Sequence, residues 1–446
     1  MKLIGLNPFR PSRKRSEAMG PAQFEASPPT STEVVVVGGG IAGLATAIAL
    51  AERGRKVTLL EKGRIGAEQT SRALGWVASI GDEGLRLPLS LRSKAIWQSW
   101  QETHGIDTSY RRCGVTILCR SDAEMAALAN WRKTASAFGQ VDAEPLGLDE
   151  MSRRMPAMNI PDLVGAWHQA SDGRVVPSRV APALASIAER AGVVLCEGCA
   201  VIGLETIAGA VSQVVTEAGS VQCEAVVVAG GAWSRGLMHG LGPGLVQLPV
   251  YSSLYRTGPV SSRLEACGAT GSFGWAKEAD GSYTFGNNSA IATATPDSLR
   301  LWRAFLPALR DAHAALSLDL DRDFWAGLRQ DLGGSAERAR RLQTMRIGGA
   351  APDYKTGEHV LGALRSEFPD FARADIRSAW AGVIDGTPDK APVLGPHGPE
   401  GLFVCTGFSA HGLAMAPAAA EITADLVTGR TPFIDALAYS NARFVA

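Results

Sequence analysis

Four consecutive β-branched residues, Val34–Val37, lie between polar flanks, and an alanine- and leucine-rich stretch, 41–53, follows after three glycines. An unbroken apolar run of this kind suits a strand covered on both faces, as in a parallel sheet. Apolar positions at helical spacing then predict a helix that Gly54 terminates. A second apolar run, 57–61, predicts the next parallel strand, so residues 34–61 read as a βαβ unit. Farther along, the pattern predicts a helix over 177–191, strands over 192–197 and 214–216, and a buried strand entering a glycine turn over 224–234. Residues 296–345 are charged and helix-prone, with Pro307 expected to kink or end a helix. Residues 401–429 read as strand, glycine turn and long helix. Residues 1–30 carry no periodicity and are expected to form a flexible leader.

Length and charge narrow the class. A chain of 446 residues is long for one core and predicts two intertwined domains. The 44 basic and 44 acidic residues cancel, which removes any general electrostatic argument for a nucleic-acid partner. No uninterrupted apolar run reaches the 18 or so residues of a membrane span. Seven cysteines without an apolar leader predict free thiols and a cytoplasmic setting.

The chemistry starts at Gly38, Gly40 and Gly43, a G-x-G-x-x-G between a strand and a helix. The first glycine permits a tight turn, the second lets the backbone approach a pyrophosphate, and the third allows close helix packing. The helix start supplies unpaired N–H donors to the diphosphate. Glu61, 18 residues beyond Gly43, ends the second strand, where a carboxylate can accept from adenosine ribose hydroxyls. It would repel a 2′-phosphate, which leaves NAD or FAD. Only one such cradle occurs, so any flavin here is reduced by its substrate and not by a nicotinamide.

Other constellations carry little. "CEGC" (196–199) has metal-compatible spacing but no second pair or histidine cluster. Cys113 and Cys119 alternate with apolar residues and read as core thiols. No G-x-S-x-G elbow accompanies a Ser-His-Asp set. Trp97 and Trp100 read as core, whereas Trp76 follows a glycine turn close to the cofactor segment.

Five segments in order resemble the FAD-dependent amine and amino-acid oxidoreductases of the D-amino-acid oxidase superfamily, which includes glycine oxidase, sarcosine oxidase and D-amino-acid dehydrogenases. They are the cradle with "LLEK" (59–62), "TSRALGW" (70–76), "SDGRVVPSRVAPAL" (171–184), "AVVVAGGAWS" (225–234), and "TPDKAPVLGP" followed by "GLFVCTGFSAHGLAMAPAAAE". The resemblance implies an α/β fold, a Rossmann-type FAD-binding domain with a parallel sheet plus a substrate domain with a mainly antiparallel sheet. It divides the chain into 31–90, 165–245 and 380–446 for FAD and 91–164 and 246–379 for substrate. It implies FAD contacts at Gly38, Gly40, Ile41, Ala42 and Gly43, then at Glu61 and Lys62. Further contacts fall at Ser71, Arg72, Ala73, Gly75 and Trp76, and at Val201, Ala229, Gly230, Trp233 and Gly382. The last are Gly407, Phe408, Ser409, Ala410, His411 and Gly412, a turn that lies in the family against the pyrimidine edge of the flavin.

The chain also departs from its relatives. Some sarcosine-oxidase relatives tether flavin through a cysteine where this chain has Gly382, which implies non-covalent FAD. Glycine-oxidase-like members carry carboxylate-binding arginines where this chain has Ile384 and Ala410, neither of which can form a charged fork. His411, Arg346, Arg256 and Asp385 are the substrate-contact candidates that remain. The implied reaction oxidises the C–N bond of an amine or amino acid. A deprotonated amine gives hydride to flavin N5, and the imine hydrolyses to a carbonyl compound; oxygen or a respiratory carrier accepts the electrons. The alternatives are a flavin-linked hydroxy-acid or glycerol-phosphate-type dehydrogenase, which would need His411 as a base, and a non-catalytic flavoprotein.

Overall fold

The computed structural model describes residues 23–24, 26–139, 141–287, 292–293, 295–311, 316–317 and 334–444. Most of the expected leader therefore lies outside the described residues. Val34–Val37 sits at the centre of a six-stranded sheet, between Ala225–Val228 and Val57–Leu60. All three strands are fully buried. Val194–Cys196 extends one side, and Leu402–Thr406 then Val393–Pro396 the other. Every neighbouring pair is parallel except the last, which is antiparallel.

Burial on both faces is what the continuous valine runs require. Helices cover the face of Val34 and Val36, and the three-stranded antiparallel sheet of Val201–Ile207, Ala210–Thr216 and Gly219–Gln222 packs on that of Val35 and Val37. Ile41–Glu52 is buried from Ile41 through Leu50 and packs between Gly412–Val427 and Pro177–Arg190. Gly412–Val427 in turn packs on Arg86–His104, where Trp97 and Trp100 are buried as expected. Chain reversal after Ile41–Glu52 comes at Gly54, as the sequence predicts.

The second large sheet has eight strands in the order Ile376–Gly386, Leu248–Thr257, Tyr283–Asn287, Phe273–Lys277, Cys267–Ala269, Val115–Cys119, Gly165–Gln169, Ala143–Leu146. It is antiparallel apart from the Cys267–Ala269 and Val115–Cys119 pair. One face holds an aromatic core of Tyr255, Phe273, Trp275, Tyr283, Phe285, Phe368 and Phe371. Ser252 and Leu254, which alternate with Tyr255 along their strand, face the other side and line the cavity described below.

Two local expectations change. Of the two outcomes expected at Pro307, a kink or an end, the end does not occur: the helix Trp302–Asp311 runs on through the proline, which forgoes one backbone bond. Its neighbours in the charged segment are Pro296–Arg300 and Gly334–Thr344, and residues 312–315 and 318–333 lie outside the described residues. Cys119 is a core thiol, but Cys113 is exposed, because it sits in the loop before Val115–Cys119 and not in the strand. Among the described residues no helix is long and apolar enough to cross a membrane.

Candidate cofactor and substrate site

The first glycine turn leaves no room for side chains. Gly38 holds φ at +113°, and a Cβ there would lie 2.5 Å from the Ala229 carbonyl oxygen. At Gly43 a Cβ would lie 1.8 Å from the Gly38 carbonyl oxygen. Strand and helix therefore meet at backbone distance, as a phosphate cradle requires. The Ile41 N–H donates to Thr70 Oγ1 at 3.0 Å. Glu61 Oε2 accepts from the Gly39 N–H and Oε1 from the Gly63 N–H, each at 2.7 Å. Burial pushes the Glu61 carboxyl above its ordinary range, against the pull of Lys62 and the two amides.

The last turn, between Leu402–Thr406 and Gly412–Val427, is built differently. Gly407 holds φ at +81°, and so in sense do two non-glycine residues, Ser409 at +50° and Ala410 at +71°. Left-handed backbone at such residues costs about 1 kcal/mol each and persists only where the surroundings impose it. Here Asp385 Oδ2 accepts from the Gly407 N–H at 2.7 Å, and Ser409 Oγ accepts from the Thr387 N–H at 3.0 Å. The His411 N–H closes onto the Phe408 carbonyl at 2.8 Å.

His411 is fixed in one tautomer by its neighbours. Its Nδ1 lies 2.7 Å from the Ser409 carbonyl oxygen, an acceptor, so Nδ1 carries the proton. Its Nε2 lies 3.4 Å from Arg86 Nη1, which only donates, so Nε2 presents its lone pair. Burial lowers the His411 pKa below its ordinary 6.5, with Arg86 and Lys390 acting the same way and Asp82 opposing. Arg86 itself pairs with Asp82 Oδ1 at 2.9 Å. Burial raises the Asp82 carboxyl in spite of His411 and Arg86.

Both turns open onto one cavity of about 590 Å³. Gly38, Gly40, Ile41 and Ala42 line it, as do Glu61, Lys62, Arg72, Ala73, Gly75 and Trp76. So do Val201, Ala229, Gly230, Trp233, Gly382, Phe408, Ala410, His411 and Gly412. Gly43, Ser71, Gly407 and Ser409 do not. Gly43 spends its missing side chain on packing, Ser71 bonds back to Glu68, and Gly407 and Ser409 shape the turn from behind.

The substrate-contact candidates separate. Arg256 is outside the cavity, bonded to Thr284 and Glu278 with its guanidinium over the Trp380 ring. Arg346 lines the cavity beside Glu61 and not beside His411; it is held by Glu217 and by the carbonyls of Lys62 and Gly198. Asp385 is buried beneath the last turn, where Oδ2 is committed to Gly407. His411 stands where the large sheet, through Ser252, Leu254 and Ile384, meets the turn, and Asp385 lines the cavity there as well. Asp82 and Arg86 line the cavity there and escaped the sequence reading, although Asp-x-x-x-Arg is an i,i+4 pair visible at the start of a helix.

The residues present fit a flavin dinucleotide. The cradle excludes every Cβ at Gly38 and Gly43, and two buried carboxylate oxygens in the cavity-lining set, Asp385 Oδ1 and Asp82 Oδ2, have no partner among the described residues. Such oxygens suit O–H or N–H donors, which the ribityl chain and flavin ring carry. No cluster of three or more metal-ligating side chains occurs among the described residues.

A cavity joining a helix-start cradle to a second turn on the same sheet is what a long two-headed nucleotide requires, and it defines a dinucleotide-dependent oxidoreductase. Residues 33–426 match the pattern of the family described as FAD dependent oxidoreductase. The chain belongs to that family, and its cofactor is FAD. It is similar to glycine oxidase of Geobacillus kaustophilus (strain HTA426), with 26% identity over 93% of this chain and 97% of the relative. Among solved structures it is similar to the L-amino acid deaminase of Proteus myxofaciens in complex with anthranilate, with 31% identity and a TM-score of 0.88 over 95% and 96% of the two chains. The L-amino acid deaminase of Proteus vulgaris gives 28% identity and a TM-score of 0.87 over 95% and 100%.

Proposed function

We propose that the protein oxidises the C–N bond of an amino acid, giving an imine that hydrolyses to a carbonyl compound. Non-covalently bound FAD would supply the hydride acceptor, at its N5. The observation that carries this reading is the single cavity with the cradle in its wall and the His411 turn beside the face of the large sheet. Gly38, Gly40, Ile41 and Ala42 would hold the diphosphate, Glu61 the ribose, and Phe408–Gly412 the ring. Gly382 stands at the position of a cysteine tether, so nothing there binds the ring covalently.

The remaining wall shapes the substrate. Trp76, Ala78, Ile80, Leu254 and Ile384 make it apolar, which excludes water and favours an uncharged amine. Ser252 and Asn287 add polar contacts. Arg86 and Lys390 bring positive charge to the His411 side, where a substrate carboxylate needs it after the loss of the arginines at Ile384 and Ala410. The chain's own contribution is orientation and desolvation. No side-chain base is required, and His411 is poorly placed to be one, since Arg86 faces its only lone pair.

An anaerobic screen watching the flavin band tests this reading. Amino acids should bleach it, and the matching hydroxy acids and decarboxylated amines should not. Bleaching by hydroxy acids alone would support a C–O dehydrogenase, and no bleaching by any member would support a non-catalytic flavoprotein. Admission of air then separates oxidase from dehydrogenase.

A further inference from the structure

Six of the seven cysteines are buried, and Cys113 is the exposed one. Its Sγ lies 3.8 Å from that of Cys267, although 154 residues separate the two. Cys267 is fully buried on Cys267–Ala269, in an apolar cluster with Val115 and Ala276. Against that cluster pack Trp76, Ala78 and Ile80, which also line the cavity. The Cys113 loop is tied to the same wall from the other side. The Cys113 and Gly114 N–H groups donate to the Asp172 carbonyl at 3.3 and 2.9 Å. The Asp172 carboxylate in turn accepts from the Ser79 and Ile80 N–H groups at 3.0 and 3.1 Å. The thiol pair thus bridges two segments behind the cavity wall.

From this geometry we propose that Cys113 and Cys267 are an oxidative modification site, in which a small hydroperoxide entering from solvent converts the pair to an intramolecular disulfide. The thiolate sulfur of Cys113 attacks the peroxide oxygen; the O–O bond breaks, and the leaving oxygen takes a proton to become water. Cys113 is then a sulfenic acid. The Cys267 sulfur attacks that sulfur, the S–O bond breaks, and the second oxygen leaves as water with the Cys267 proton. Two thiols and one hydrogen peroxide give one disulfide and two waters, and two electrons pass to the peroxide.

The division of labour follows from the surroundings. The Cys267 S–H and the Arg174 guanidinium pull the Cys113 thiol below its ordinary pKa, against the effects of burial, Asp172 and Glu265. Burial pushes Cys267 well above its own, and it raises Cys119, Cys196, Cys223 and Cys405 to about 11. The exposed thiol is therefore the nucleophile, and the buried one resolves it. A disulfide needs sulfurs about 2.05 Å apart, so the pair must close by roughly 1.7 Å. Cys113 lies in the loop before Val115–Cys119, which turns at Gly114 with φ at +73°.

The test is to treat the FAD-loaded protein with excess hydrogen peroxide, alkylate the remaining thiols, and map the peptides by mass. The wild type should lose two of seven thiols, fall in mass by two hydrogens, and yield one linked peptide pair containing Cys113 and Cys267. Dithiothreitol should restore both thiols. Cys113→Ser should slow thiol loss at least about tenfold, and Cys119→Ser should leave the linkage unchanged. Survival of all seven wild-type thiols would overturn the proposal. So would sulfinic or sulfonic acid at Cys113 with Cys267 still alkylated on unfolding, or a linkage between any other two cysteines. The peptide map of the wild type decides the matter even if Cys267→Ser fails to fold.

Discussion

The two turns that open onto the cavity are built by opposite means. In the first, Gly38–Gly43, glycines carry the whole geometry and the neighbours in sequence complete it: strand before, helix after, acid at the end of the next strand. In the last, Gly407–Gly412, the left-handed backbone falls on Ser409 and Ala410 as well as on Gly407. It is held there by Asp385 and Thr387, about twenty residues upstream, and is joined by Arg86 from 325 residues away. A turn made of glycines is written into its own segment. The last turn's position is readable in the same way, since residues 401–429 already read as strand, glycine turn and long helix. What its segment does not show is the left-handed backbone at Ser409 and Ala410 and the distant contacts that impose it.

Breaking the first turn should have the largest effect. Gly43→Ala places a methyl group on the Gly38 carbonyl, backbone against backbone, with no side chain free to yield. The expected cost is about 3 kcal/mol, with loss of bound FAD, read from denaturant unfolding and the flavin-to-protein absorbance ratio. At the last turn, Asp385→Ala strands the Gly407 N–H, while the Thr406 hydroxyl keeps Gly231 and Gln247 as partners. The substitution should cost about 2 kcal/mol and weaken FAD binding, whereas Asp385→Asn keeps an acceptor and should cost less. Equal losses from both substitutions would mean that Asp385 does not hold the turn.

The difference in legibility between the turns recurs elsewhere. The βαβ unit and Glu61 were readable because their partners are local. The strand entering the Ala229–Gly230 turn was readable from its own valine run, although it pairs with Val34–Val37 and Leu402–Thr406, both far away in sequence. Ile384 and Ala410 could be seen to lack the expected arginines, yet the sequence offered only isolated substitutes. Arg346 had to be near something, but its partner Glu217 stands 129 residues away. Arg256 likewise belongs to Glu278 and Thr284 on a neighbouring strand turn. Asp82 and Arg86 went unread because their meaning depends on the helix Arg86–His104 lying against the last turn. Cys113 was misjudged for a related reason: alternation places a residue on one face of a strand, and Cys113 is just outside the strand.

Titration sharpens the comparison with a smaller effect. The His411 pKa is lowered on folding, so the unfolded chain takes up a proton near pH 6.5 that the folded protein refuses. His411 therefore contributes stability that is fully present above pH 6.5 and is lost as pH falls below it. His411→Asn should flatten the acid side of a stability-versus-pH curve. Arg86→Met should raise the His411 pKa in a side-chain NMR titration, since the Arg86 charge is one of the influences that lower it. Unchanged titration in Arg86→Met would break the assignment of the tautomer to that contact. The smallest effect belongs to Ala410→Gly, which relieves left-handed strain worth about 1 kcal/mol and should raise Tm by a degree or two.

The claim beneath all of this is that one FAD spans both turns, and amide hydrogen exchange with and without added FAD tests it most directly. Loading the cofactor should protect amides in 38–43 and in 407–412 together, with the same FAD dependence. Protection of the first segment while the second exchanges unchanged would contradict the account.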